Sequence, residues 1–238
     1  MLTGMSTVVT GGAGALGSAV VRELVARGEK CAVVDTARSR DSLEALVKSM
    51  GGAARAYEAD LTDRAAWDAL VPRIEADLAP ITKAVLVAGT WKGGAPLHED
   101  KDDAVWETML AVNLETVHRS FRALVPGMVA RKHGSIVVIG SRNVERPWSG
   151  ASSAAYTAAK SAVVALAQAV AAEVIESGVR INAVLPSTLD TVANRAAMPK
   201  ADFARWVTTE SAAKVIAFLL SEDARDISGV ALPIYGRS

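Results

Sequence analysis

Tyr156 and Lys160 stand four residues apart in "AYTAAK", at the start of an alanine-rich stretch. In a helix that spacing sets the phenol and the ammonium on one face. A free tyrosine titrates near about pH 10, and a cation about 4 Å away at an effective dielectric of about 20 is worth roughly 4 kcal/mol, or about three pKa units. The pair therefore reads as a tyrosine able to exchange a proton near neutrality, its pKa depressed by the lysine. An ordinary surface tyrosine and a solvated lysine share the same spacing, so the rest of the chain must decide between them.

A second constellation lies near the N-terminus. "TGGAGALG", residues 10–17, follows the apolar run "STVVT" and precedes the helical pattern "SAVVRELVARG". Gly12, Gly14 and Gly17 match G-x-G-x-x-G, which allows a tight turn, close backbone approach to a pyrophosphate, and packing of the helix on the sheet. The helix that follows turns its first amides toward the phosphates. Asp35, closing "CAVVD", stands where a carboxylate accepts hydrogen bonds from an adenosine ribose and repels a 2′-phosphate. NAD(H) is the preferred cofactor on that ground, and Arg38 keeps NADP(H) as the other candidate. Asp60, in "EADLTD", reads either as a contact to the adenine edge or as an N-cap-like turn residue.

The elements that must position these groups alternate along the chain. "STVVT", "CAVVD", "ARAYEAD", "KAVLVAG", "SIVVIGS", "RINAVLP" and "GVALPIYG" read as strands, most of them apolar enough for a parallel sheet covered on both faces. Helical patterns occupy residues 17–27, 41–50, 63–78, 103–131, 153–177 and 209–221. The expected fold is α/β, one Rossmann-type doubly wound parallel sheet spanning residues 1–238 as a single domain. Residues 187–207 read as an irregular insertion of the kind that often forms a lid. The longest apolar run, "SAVVALAQAVAA" at 161–172, is flanked or broken by Lys160, Gln168 and Glu173 too closely for a membrane span. A helix so apolar reads as buried, and its small alanines suit a subunit interface.

Composition narrows the partners. With 26 acidic and 26 basic residues and no long run of either sign, nothing suggests nucleic acid or an anionic membrane. Small molecules and further copies of the chain are the expected partners. Cys31 is the only cysteine and lies in the apolar "CAVV", which excludes an internal disulfide and reads as a buried thiol. His98, His118 and His133 lack ligand spacing, read as surface residues, and disfavour metal catalysis. The opening "MLTGMSTVVTGG" has no secretory pattern, and the expected location is cytoplasmic.

Taken in order, "TGGAGALG", "VAG", "AVNL", "IVVIGS", "YTAAK" and "INAVLP" resemble the short-chain dehydrogenases/reductases over essentially the whole chain. The resemblance implies a general acid/base at Tyr156 and a lysine at Lys160 that lowers its pKa and holds the nicotinamide ribose. It places the substrate-orienting serine at Ser141 and the asparagine of a proton relay at Asn113. The expected cofactor contacts are Thr10, Gly11, Gly12, Gly14, Ala15, Leu16, Gly17, Asp35, Asp60, Leu61, Ala88, Gly89, Tyr156, Lys160, Pro186, Thr188 and Thr191. Trp91, Trp148, Asn194 and Trp206, with Arg195 and Met198, lie in loops after strand ends and are expected to border the substrate. A homodimer or homotetramer built through the helices at 103–131 and 153–177 is implied as well.

The chain departs from the family pattern at several places. Ala15 replaces a marked glycine, Val87-Ala88-Gly89 replaces Asn-Ala-Gly, and Pro186-Ser187 replaces Pro-Gly. The interval from Ser141 to Tyr156 is two residues longer than the common spacing, so "RNVERPWSGASSAA" must bulge for the two hydroxyls to meet. A narrower resemblance, carried by "GGAGALG", "VAGTWKGG" and "VLPSTLDTVANRAAMPKADFARW", points to the dihydropteridine reductases, which lack the serine and asparagine kept here. The function expected is hydride exchange between nicotinamide and a carbonyl/alcohol pair. A quinonoid dihydropterin reductase and a dinucleotide-sensing regulator without chemistry are the alternatives.

Overall fold

Val8 and Val9, neighbours in the first strand (β1, Ser6–Thr10), are both fully buried and belong to different halves of the core. Side chains alternate faces along a strand. Val8 joins Val34, Ile136, Val138 and Ile181 in one apolar layer, whereas Val9 joins Val33, Val85, Val137 and Val184 in the other. A strand covered on both faces has no polar side to show, which is why these segments read as unbroken apolar runs.

The structure, a computed structural model, describes residues 4–237. After β1 come α1 (Ala15–Ala26), β2 (Lys30–Asp35), α2 (Arg40–Ser49), β3 (Ala54–Glu58), α3 (Arg64–Asp77) and β4 (Ile81–Leu86). The second half runs α4 (Ala104–Met109), α5 (Thr116–Arg131), β5 (Gly134–Ile139), α6 (Ala154–Val174) and β6 (Val179–Pro186). It closes with β7 (Leu189–Asp190), α7 (Val192–Ala197), β8 (Val207–Thr208), α8 (Thr209–Leu220) and β9 (Ala231–Ile234). The main sheet has the order β3-β2-β1-β4-β5-β6-β9, with every pairing parallel. The order reverses between β1 and β4, so a crevice opens beyond their carboxyl ends, where open sheets of this kind bind ligands. Thr10 marks that seam: its Oγ1 accepts from the Ala88 amide at 3.2 Å.

Three sequence expectations are corrected. The long helix at 103–131 is interrupted by a π-helical turn, Leu110–Glu115, between α4 and α5. Residues 187–207 are ordered as a small parallel pair, Leu189 with Val207 and Asp190 with Thr208, enclosing α7; the pairing is invisible locally because its strands have two residues each. The apolar segment around α6 does reach the length and hydropathy of a membrane span, over Ala154–Ser177. Its Val163, Val164, Ala167, Ala171 and Val174 nevertheless pack into the core, while Ala165, Gln168, Ala169 and Ala172 stay exposed. The helix is thus buried on one face and open on the other.

Candidate active site

Glycine geometry builds the first wall of the site. Gly11 adopts φ +62°, and a Cβ there would stand 2.8 Å from the Ala88 backbone; at Gly17 it would meet the Gly11 carbonyl, and at Gly12 the Val33 side chain. Gly11, Gly12 and Gly17 are therefore needed for the turn to close on itself, on β2 and on the loop after β4. Gly14 differs, since it is the exposed N-cap of α1, with no side-chain cap on the amides behind it. Those amides and the missing Cβ leave a cradle suited to phosphate oxygens.

The cradle is one end of a groove of about 550 Å³. Of the expected cofactor contacts, Gly11, Gly14, Ala15, Leu16, Gly17, Asp35, Asp60, Leu61, Ala88, Gly89 and Thr191 line it. Thr10 and Gly12 stand behind the turn, Pro186 ends β6, and the Thr188 carbonyl accepts from the Val207 amide beside the β7–β8 pair. Asp35 accepts from the Ala13 amide at 3.0 Å and from the Thr36 amide at 2.8 Å, so the same carboxylate that faces the groove also holds the glycine turn. Asp60 has its turn reading in the structure, its Oδ1 accepting from the Thr62 hydroxyl and amide, which hold its carboxyl below the usual range, and it lines the groove as well. Thr36, Ser39, Ser42, Val112 and Thr116 line the groove too and are missed by sequence reasoning. The hydroxyls after Asp35 carry a signal in their nearness to β2. Val112 and Thr116 carry none, because only tertiary packing brings that helix to the groove.

Gly89 joins the groove to Asn113 and Lys160. A Cβ on it would lie 2.6 Å from Asn113 Oδ1 and 3.3 Å from Lys160 Nζ, so this glycine leaves the space those side chains occupy. Asn113 is fully buried in the π-helical turn. Its Nδ2 donates to the Met109 carbonyl at 3.1 Å and to the Thr90 carbonyl at 3.0 Å, and its Oδ1 accepts from the Thr90 amide at 3.2 Å. Back-bonding to a carbonyl four residues earlier intrudes on the helical ladder and accounts for the local widening. The Asn113 side chain thereby clamps the loop after β4 against α5.

Lys160 is 5% exposed, donates to the Ile139 carbonyl at 2.8 Å, and stands 5.9 Å from the Tyr156 ring centroid. Burial brings its pKa down to about 8. The Tyr156 phenol is half-buried; withdrawal from water pushes its pKa up, and the Ser141 hydroxyl beside it acts in the lowering direction. This corrects the expected sign. The ammonium lies over the ring and donates to a carbonyl, and withdrawal from water is the larger effect on the phenol and the effect that lowers the lysine. Ser141 has its place fixed by capping the turn Arg142–Val144, where its Oγ accepts from the Asn143 amide at 3.3 Å.

At the rim, Trp91 and Trp148 are 60% and 76% exposed on the loops after β4 and β5. Trp206 packs on Phe203 with ring centroids 4.8 Å apart, and Asn194 donates to the Leu189 carbonyl at 2.8 Å, so both hold the 187–207 segment together. Arg195 pairs with Asp190 through two contacts and covers the Phe203 ring, Met198 is partly exposed, and Thr191 caps α7. Among the described residues no group of three or more His, Cys, Asp or Glu side chains gathers as metal ligands. His98 is exposed, and His118 and His133 are half-buried. Cys31 is buried, and its thiol is pushed up to about 12 by that burial.

The profile of the short chain dehydrogenases matches residues 6–202. The chain belongs to the short-chain dehydrogenases/reductases. The 2-(S)-hydroxypropyl-CoM dehydrogenase 3 of Xanthobacter autotrophicus is 32% identical, over 96% of this chain and 94% of that relative. The 2,3-dihydro-2,3-dihydroxybenzoate dehydrogenase of Bacillus subtilis is 35% identical, over 80% of this chain and 72% of its own. Among solved structures, the 3-ketoacyl-(acyl-carrier-protein) reductase from Brucella melitensis complexed with NADH superposes with a TM-score of 0.87 at 25% identity, all of both chains being covered. This short-chain dehydrogenase/reductase is accordingly an NAD(P)-dependent oxidoreductase, which sets aside the regulator without chemistry. Its glycine cradle, its Asp35 and a groove of about 550 Å³ fit a dinucleotide.

Proposed function

We propose that the enzyme interconverts a carbonyl compound and its alcohol with NAD(H), Tyr156 acting as the general acid/base. The observation carrying this reading is the placement of a withdrawn tyrosine beside the Ser141 hydroxyl, with the Lys160 ammonium against its ring and the dinucleotide-sized groove one glycine away. When bound, the nicotinamide supplies or accepts the hydride at the substrate carbon. Ser141 donates a hydrogen bond to the substrate oxygen, and Tyr156 delivers the proton to that oxygen in reduction and removes it in oxidation. Lys160 and Thr191 hold the nicotinamide end, the residues from Gly11 to Gly17 the pyrophosphate, and Asp60 and Leu61 the adenine side. Trp91 and Trp148 border the substrate, and the enzyme acts in the cytoplasm on this reading.

A panel of ketones, sugars, steroids and quinonoid dihydropterin, followed by NADH absorbance, tests the reaction class. Turnover of a carbonyl member that falls about 10²-fold in Ser141→Ala supports it, a loss comparable to that of one oxyanion donor. Turnover of the pterin alone, indifferent to Ser141→Ala, would replace it with the pterin reading that the lid segment resembles.

Asp35 supports the cofactor choice, since a carboxylate on the groove wall attracts ribose hydroxyls and repels a 2′-phosphate. NADH is expected to bind more tightly than NADPH, and Asp35→Ala to narrow or invert the difference, as read by calorimetric titration of both. Tighter NADPH binding to the unaltered protein would transfer control of the pocket to Arg38 and its neighbours.

The exposed alanine face of α6 supports assembly through α5 and α6 into a dimer or tetramer. Light scattering is expected to give a multiple of the 24.8 kDa chain mass, and Ala169→Glu to reduce it. A monomer mass at micromolar concentration would end this proposal.

A further inference from the structure

The connection from Ser141 to Tyr156 is two residues longer than its family's common spacing, yet the structure brings the two hydroxyls together. Residues 145–149 of this connection are exposed, and such a loop by itself places its ends poorly. A compact cluster at its base does the placing. Asn143 Nδ2 donates to Thr157 Oγ1 at 3.1 Å, and Asn143 Oδ1 accepts from Ser149 Oγ at 3.1 Å. The backbone of the same residue donates to Ser141 Oγ at 3.3 Å. Gly150 closes the cluster from the other side: a Cβ there would stand 2.2 Å from Thr157 Oγ1 and 2.7 Å from Asn143 Nδ2.

We infer that Asn143, through Thr157 and Gly150, is a positioning residue that clips the Ser141 turn onto α6 and so sets the Ser141–Tyr156 contact. One amide group thus binds the turn carrying the serine to the residue adjacent to the tyrosine. The Asn143 amide occupies an acceptor site of Ser141, which leaves the serine O–H to be donated, to the Tyr156 oxygen or to a substrate. A donor to the phenolic oxygen favours its ionised form, in keeping with the lowering effect of Ser141 on Tyr156. Loss of the clip therefore weakens that donation without removing any group that touches substrate. The inference rests on the acid/base reading of Tyr156, and its test needs no substrate.

Tyr57, Tyr156 and Tyr235 are the only tyrosines, so three ring-carbon resonances at Cζ can be assigned by single Tyr→Phe replacements and followed against pH by NMR. Lys160 is the charged group set against the Tyr156 ring, and it is unaltered in every variant compared. Ser141→Ala is expected to move the Tyr156 midpoint upward by about half a pH unit or more, the direction in which a hydrogen bond to the charged form is lost. Asn143→Ala, the isosteric Thr157→Val and Gly150→Ala are expected to move it the same way, and Thr157→Ser, which keeps the hydroxyl, to leave it in place. With a carbonyl substrate from the panel, the same variants should lower kcat with little change in KM or NADH affinity. An upward shift in Ser141→Ala with none in Asn143→Ala and Thr157→Val would overturn the clip and leave the catalytic reading intact. No shift even in Ser141→Ala would overturn the clip together with the serine–tyrosine coupling on which it acts.

Discussion

Tyr156→Phe is expected to lower turnover by about 10³-fold, within the roughly 10²–10⁴ that a positioned acid/base contributes, while NADH affinity stays within about twofold. The substitution deletes one oxygen and keeps the ring that packs beside Met109, Ala155 and Ala159. Binding and proton transfer are thereby separated, since the pyrophosphate cradle and Asp35 belong to other elements. Steady-state rates on a panel substrate, with calorimetric titration of NADH, check both halves. Full activity in Tyr156→Phe would return the four-residue spacing of "AYTAAK" to an ordinary helix face.

Lys160→Met is expected to stabilise the protein at neutral pH and to weaken the cofactor. Folding lowers the lysine pKa from about 10.5 to about 8, because the ammonium is buried with a carbonyl for its partner. Below pH 8 the lysine is charged in both states, and the cost of burying the charge is present in full, roughly 3 kcal/mol for a shift of this size. Between pH 8 and 10.5 the unfolded chain holds the proton that the folded one has lost, so the stability contributed by this group rises with pH over that window. Methionine fills similar space and carries no charge at any pH. Urea unfolding should therefore find the variant more stable at pH 7, with the difference shrinking by pH 10.5. NADH affinity should fall by about tenfold to a hundredfold, the worth of a hydrogen bond from a charged donor. A variant less stable than the parent at pH 7 would show that the buried ammonium is compensated more fully than the Ile139 carbonyl alone provides.

The cost at Lys160 illustrates a division between stability and function. A methionine would pack as well, and the ammonium is kept where burial works against it, a pattern found where a group's charge is used for chemistry. Asn113 divides its duties differently. Its side chain is shared between Thr90 and the Met109 carbonyl, so it holds the loop after β4 and widens the turn it sits in.

Strand and helix positions are legible in the sequence because they follow from local rules. The apolar run at Val8 and Val9 demands burial on both faces, and Gly28, at φ +84°, ends α1 as a glycine beyond a helix commonly does. Gly12 and Gly17 are legible for the same reason, since a residue without a Cβ between a strand and a helix announces a close approach, whereas the tight contact at Gly11 lies outside the G-x-G-x-x-G reading, which names Gly14 instead. What the approach is made to, Ala88 at one glycine and Val33 at another, belongs to the sheet order. The meeting of Gly89, Asn113 and Lys160, the pairing of β7 with β8, and the Asn143 clip join segments whose separation in sequence carries no pattern, so only the packed chain decides them. The sign of the Tyr156 shift belongs there as well. Spacing along a helix sets how near a cation can come, but the balance between attraction and desolvation depends on how much water the surrounding elements remove.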